Sequence, residues 1–136
     1  MKIFFDAEFT DLIGIVEDIK LISLGFVTYD GRELYVELHG NFERKNCSQF
    51  VIEAVLPKLD KAKHTLSNAE AAAKVKEWIE SLTEQVQLVT DAPAYDWSLL
   101  HDFLVDHEAW PDNLYCWPID ANVHDILQAS DRYHEY

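Results

Sequence analysis

Cysteine and glycine are scarce in this sequence: Cys47 and Cys116 are the only two thiols, and there are four glycines in 136 residues. Two distant cysteines without Cys or His at metal spacing give neither a disulfide framework nor a Cys/His metal site, so inert reduced thiols are expected. So few glycines leave no G-x-S-x-G elbow and no phosphate-cradling loop, and hydrolysis by a Ser or Cys nucleophile has no support. Basic residues are also few, 11 Lys and Arg against 25 Asp and Glu, for a formal net charge of −14. A broad electrostatic grip on nucleic acid needs cations to displace counterions and is disfavoured; a small metal-assisted phosphate site is not. No long apolar run occurs, because Asp6 and Glu8 interrupt the N-terminal one, so neither a signal peptide nor a membrane span is expected. With 49% hydrophobic residues and no repeat, linker or low-complexity tract, the expectation is one globular, cytoplasmic domain over 1–136.

The pattern predicts strand, meander, then alternation. Residues 3–9 read as a strand, 21–28 and 33–38 as two more joined by a two-residue Asp30-Gly31 hairpin turn. A short helix follows, capped by Ser48 and stopped by Pro57. Ser67 and Glu70 form a capping box ahead of Val75, Trp78, Ile79 and Leu82 at helical spacing, with Trp78 and Ile79 expected in the core. Residues 86–90 read as a buried strand, a helix starts near Tyr95, 114–120 gives a short strand, and a last helix occupies 121–136. Three strands followed by this alternation indicate an α/β fold, a mixed sheet with helices against it.

The stretch IFFDAEFTD places Asp6 and Glu8 on one face of a strand expected to be buried. They stand about 6.5–7 Å apart, and burying both unpaired would cost several kcal/mol, so either a cation lies between them or the strand is a wet edge. Hard divalent ions favour carboxylate oxygens, and two such ions about 3.5–4 Å apart suit phosphoryl transfer. Asp96 falls in a helix's first turn on the face carrying Leu99, Leu100 and Phe103, where it is a third inward acid or a helix cap. A second D-x-E triplet, Asp106 to Glu108, follows a helix in polar surroundings and reads as solvated surface. His39, His64 and His134 have no acid or Cys partner at metal spacing.

FFDAEF and AYDW resemble the first and second motifs of DEDD-type 3′-5′ exonucleases, whose fold is ribonuclease H-like: an antiparallel meander plus parallel strands, flanked by helices. KLISLGFVTYDGRELYVEL and VLPKL are similar to the bacterial and phage exoribonuclease branch related to ribonuclease T and oligoribonuclease. The resemblance implies Asp6, Glu8 and Asp96 as ligands of two Mg²⁺ or Mn²⁺ ions. It also implies that the backbone around Phe9 and Thr10 meets the terminal nucleotide of single-stranded RNA or a short oligonucleotide. The family's third motif, H-x-x-x-x-D on the last helix, is not matched. His101 and Asp106 have the spacing but sit directly after the second motif and read as surface. His124 lies in the right region with Ala129 five residues on, and Asp131, seven on, shares its helix face. His124 and Asp131 are therefore substitute candidates, although the expectation is that the chain stops before the third motif. The implied activity is metal-dependent removal of nucleotides from RNA 3′ ends, with a noncatalytic nucleotide- or protein-binding domain, or an exonuclease acting on DNA, as alternatives.

Overall fold

Side chains alternate between exposed and buried along Lys2–Phe9 (β1) in the computed structural model of the protein, which describes residues 1–11 and 19–121. Ile3, Phe5 and Ala7 are buried while Phe4, Asp6 and Glu8 are exposed. The two acids thus stand on the open face of the sheet, and the burial expected from the flanking phenylalanines falls on the opposite face.

Leu21–Val27 (β2) and Glu33–Glu37 (β3) extend β1 as an antiparallel meander, Gln87–Thr90 (β4) pairs with β1 in parallel, and Ile119–Asp120 (β5) pairs in parallel with β4. The sheet order is β3-β2-β1-β4-β5, a mixed sheet of the expected class. The strand expected over 114–120 is reduced to two residues plus a bridge from Leu114 to Val86. Pro118 just before it has no N–H to give to a ladder. The β2–β3 turn has three loop residues rather than two. Thr28 N–H donates to Arg32 O at 2.8 Å, Gly31 N–H donates to Thr28 O at 3.1 Å, and Gly31 takes φ +88°, a tight turn closed by a left-handed glycine.

Helices Asn68–Ser81 (α2) and Asp96–Asp106 (α3) cover the face bearing Ile3 and Phe5. The predicted capping box is complete, with Ser67 Oγ accepting from Glu70 N–H and Glu70 Oε1 accepting from Ser67 N–H. Val75, Ile79, Leu100 and Leu104 are fully buried, and each such side chain stabilises by roughly 1.5–3 kcal/mol. Trp78 is only partly buried at the margin of this core, so of the expected pair Ile79 alone lies fully inside.

The other face carries a smaller cluster. The β1–β2 register slips between Glu8 and Phe9, where Ser23 and Leu21 are consecutive partners. The extra residue, Ile22, turns to the open side and seats Val51 and Val55 of Gln49–Ala54 (α1) and its C-cap. Ser48 caps α1 by accepting from Val51 N–H at 3.2 Å. The α-helix ends at Ala54, ahead of Pro57 as expected, and Leu56–Lys58 follows as a 3-10 turn whose first residues need no N–H donor. No helix among the described residues is long and apolar enough to cross a membrane.

Glu37 ties the chain after this turn to β3. Its carboxylate is 2% exposed and accepts from Tyr35 Oη at 2.8 Å and Asp60 N–H at 2.9 Å, while His39 Nε2 lies at 2.6 Å and His64 Nε2 at 3.9 Å. His39 and His64 therefore share an acid partner that sequence spacing did not reveal. Burial alone pushes Glu37 up, but the bonds from His39, Tyr35 and Asp60 outweigh it and hold the carboxyl below its usual range. A lowered acid stabilises the fold above its unfolded pKa and loses that contribution as pH falls through the folded value. Glu37→Leu is expected to cost about 2–4 kcal/mol at pH 7. The urea midpoint measures this, and the gap to wild type should shrink between pH 5 and pH 3; a gap independent of pH would contradict the assignment.

Candidate metal centre

Asp6 faces away from the core on β1. At the C-terminal end of β4 the chain leaves the sheet, exposes Asp91, and re-enters as α3 with Asp96 in the first turn. Asp96 is 2% exposed and its Oδ2 accepts from Thr90 Oγ1 at 2.9 Å. Tyr95 precedes the helix without a side-chain cap, so Asp96 is fixed by the strand before it rather than acting as its own helix's cap. The three carboxylates each offer an oxygen such that all lie within 4.8 Å of one another.

Electrostatics define what this arrangement needs. Desolvation, with repulsion from Asp6 and Asp91, pushes Asp96 up to about 7 against the opposing hydrogen bonds from Thr90 and the Ala7 N–H. Asp6 is raised by desolvation and by Asp91. Glu8 is raised by desolvation and by Asp6, with Lys58 opposing. Three converging carboxylate oxygens, with Asp6 and Asp96 desolvated and repelled by their neighbours, form the donor set that a hard divalent cation takes. The residues present fit such an ion.

A cavity of about 440 Å³ opens over the cluster and is lined by Asp6, Glu8, Phe9, Phe50, Asp91 and Asp96 among others. Glu8 shares this cavity, but it is Asp91 that joins Asp6 and Asp96 in the tight group. Phe9 stacks on Tyr95 at 5.9 Å between centroids. Thr10 is buried, its Oγ1 accepts from Lys20 N–H at 3.0 Å, its own N–H donates to Lys20 O, and its carbonyl accepts from Ser48 N–H. Of this pair only Phe9 reaches the cavity wall. His101 is exposed and contacts Asp102, and Asp106 is exposed. His124, Asp131 and His134 lie outside the described residues. Asp91 is the ligand candidate that sequence reading missed. Its signal was its place directly after an apolar parallel strand, the end at which α/β sheets bind ligands.

No family model and no curated protein sequence matches the chain. In three dimensions it is a ribonuclease H-like α/β fold, given by the mixed five-stranded sheet and its flanking helices. Solved structures that share it include S. pombe Pop2p in a form with Mg²⁺ and Mn²⁺ bound, at 16% identity and TM-score 0.54, over 82% of this chain and 56% of that one. Another is a chain in the structure of the yeast NOT1 MIF4G domain co-crystallised with CAF1, also at 16% identity and TM-score 0.54, over 96% of this chain and 64% of that one. The chain thus spans less than two thirds of the length of either neighbour, and at this identity the likeness is one of fold.

Proposed function

We propose that the protein is a metal-dependent 3′-5′ exoribonuclease of the DEDD type that FFDAEF and AYDW resemble, in the branch that KLISLGFVTYDGRELYVEL and VLPKL resemble. The observation that carries the reading is the convergence of Asp6, Asp91 and Asp96 within 4.8 Å beneath an open cavity. Pop2p, with Mg²⁺ and Mn²⁺ bound on the same fold, supports the choice of ion. Asp6, Asp91 and Asp96 would hold one divalent cation, and Asp6 with Glu8 a second. Such ions supply charge stabilisation to the attacking and leaving oxygens of a phosphodiester.

The chain's own groups do the rest. Thr90 holds the Asp96 carboxylate in place, and the rigid end of β4 fixes Asp91 beside it. Phe9 and Phe50 line the cavity with apolar surface that excludes water from one side of a bound nucleotide. In the reaction a water oxygen bonds to phosphorus and the P–O3′ bond breaks. A nucleoside 5′-monophosphate leaves, and the shortened strand keeps a 3′-hydroxyl. The water's proton goes to a general base, for which His124 with Asp131 is the candidate, and the leaving O3′ takes a proton from solvent.

A 5′-labelled single-stranded RNA incubated with Mn²⁺ tests this. The expected product is a ladder shortening from the 3′ end, stopped by EDTA and by a blocked 3′ terminus. A matching DNA strand degraded faster would move the preference to DNA. Absence of cleavage together with retained RNA binding would favour the noncatalytic alternative.

A further inference from the structure

We propose that Lys58 anchors a substrate phosphate other than the one being cleaved, so that the site takes oligonucleotides in preference to single nucleotides. This rests on the exonuclease reading above. A second cavity, of about 320 Å³, shares Asp6, Glu8 and Phe50 with the first and extends to Ser23, Tyr35 and Lys58. The two form a trough running across the strands. The Asp91 and Asp96 end lies on the β4 side of β1, and the Tyr35 end lies on β3, two strand spacings or about 10 Å from β1. One wall is α1 and the 3-10 turn after it, carrying Phe50 and then Lys58.

Lys58 is the one Lys or Arg among the described residues that lines either cavity of this trough. Its base is rigid: Lys58 N–H donates to Val55 O at 3.0 Å, and Leu56 and Leu59 on either side pack against Ile22, Val51 and Val55. No described carboxylate lies within 4 Å of its ammonium. Lys58 is therefore not consumed as a counter-charge. In a chain with a net charge of −14, a lone cation held at the far end of an acidic trough suits an anion brought in by the ligand. A single-stranded oligonucleotide lying along the trough brings a further phosphate there; a mononucleotide ester does not.

The experiment compares wild type, Lys58→Gln and Lys58→Arg on a single-stranded RNA and on thymidine 5′-monophosphate p-nitrophenyl ester, whose only phosphate is the scissile one. For Lys58→Gln, kcat/KM on RNA is expected to fall roughly tenfold or more, with the loss confined to the oligonucleotide and largely recovered by Lys58→Arg. RNA binding to Asp6→Asn and to the Asp6→Asn/Lys58→Gln double variant, measured by anisotropy against salt, should differ in log–log slope by about 0.7, one phosphate contact on a single strand. Equal losses on both substrates would show that Lys58 acts through Glu8 and overturn the proposal, as would unchanged kinetics on both. If wild type cleaves neither substrate the exonuclease reading falls, and the salt slopes still decide Lys58: identical slopes, or no binding, overturn it.

Discussion

Asp6→Asn, Asp91→Asn and Asp96→Asn are each expected to lower RNA turnover by on the order of 10³-fold, because each removes a charge from a donor set that stabilises several kcal/mol of transition-state charge. Asparagine keeps the volume and the fold, so the loss is one of chemistry. Asp102→Asn, an exposed change on α3, should leave turnover within about twofold of wild type. Asp91 is the decisive member of the set, since no motif pointed to it. An Asp91→Asn variant with wild-type activity would remove it from the site and return the ligand set to Asp6, Glu8 and Asp96 alone.

In EDTA the protein is expected to lose stability as pH rises from about 4 to about 7 through Asp96. Its carboxyl keeps a proton up to about 7 in the fold and releases it near 3.9 when unfolded. Between those values the folded state binds more protons than the unfolded one, so stability falls with rising pH, by on the order of 4 kcal/mol for this group alone. Asp96→Asn should remove that slope and make the metal-free protein more stable than wild type at pH 7.5. Millimolar Mg²⁺ should reverse the order by binding only the native wild type, and its benefit should fade toward pH 5 as protons compete for the ligands. Urea midpoints at pH 5 and 7.5, with EDTA and with Mg²⁺, measure all four states. Equal pH slopes for wild type and Asp96→Asn would show that Asp96 is not the strained group.

The strands of the meander and the two long helices were legible because their periodicities are strong: alternation in KIFFDAEF, and Val75 with Ile79 behind a Ser67/Glu70 capping box. Asp6, Glu8 and Asp96 were legible because each is an acid among apolar neighbours. What stayed hidden depends on geometry between elements. The Ile22 bulge changes no residue type and so leaves no mark in composition. Asp91 sits in a loop where an acid looks ordinary, and only the parallel pairing of β4 with β1 brings it beside Asp6. Glu37 is one polar residue of a meander strand with nothing beside it in sequence to mark it, yet Tyr35, His39 and Asp60 close around it. The expectation that Asp6 and Glu8 were sealed in the core failed because a strand flanked by phenylalanines still has two faces, and Phe4 shares the open one.

The parallel pairing of β1 with β4 also decides when in the life of the chain the metal site can exist. A hairpin such as β2–β3 closes in roughly 1–10 μs from neighbours in sequence, whereas non-local parallel strands wait on loop closure. Asp6 emerges ahead of its two partners, which follow only after α2 and β4. A nascent or proteolysed chain holding β1 to β3 and α1 owns Asp6 and Glu8 but not the cluster. Cation affinity therefore reports completed assembly of the sheet and would serve as a tertiary-structure probe in refolding, distinct from the helical signal that α2 supplies on its own.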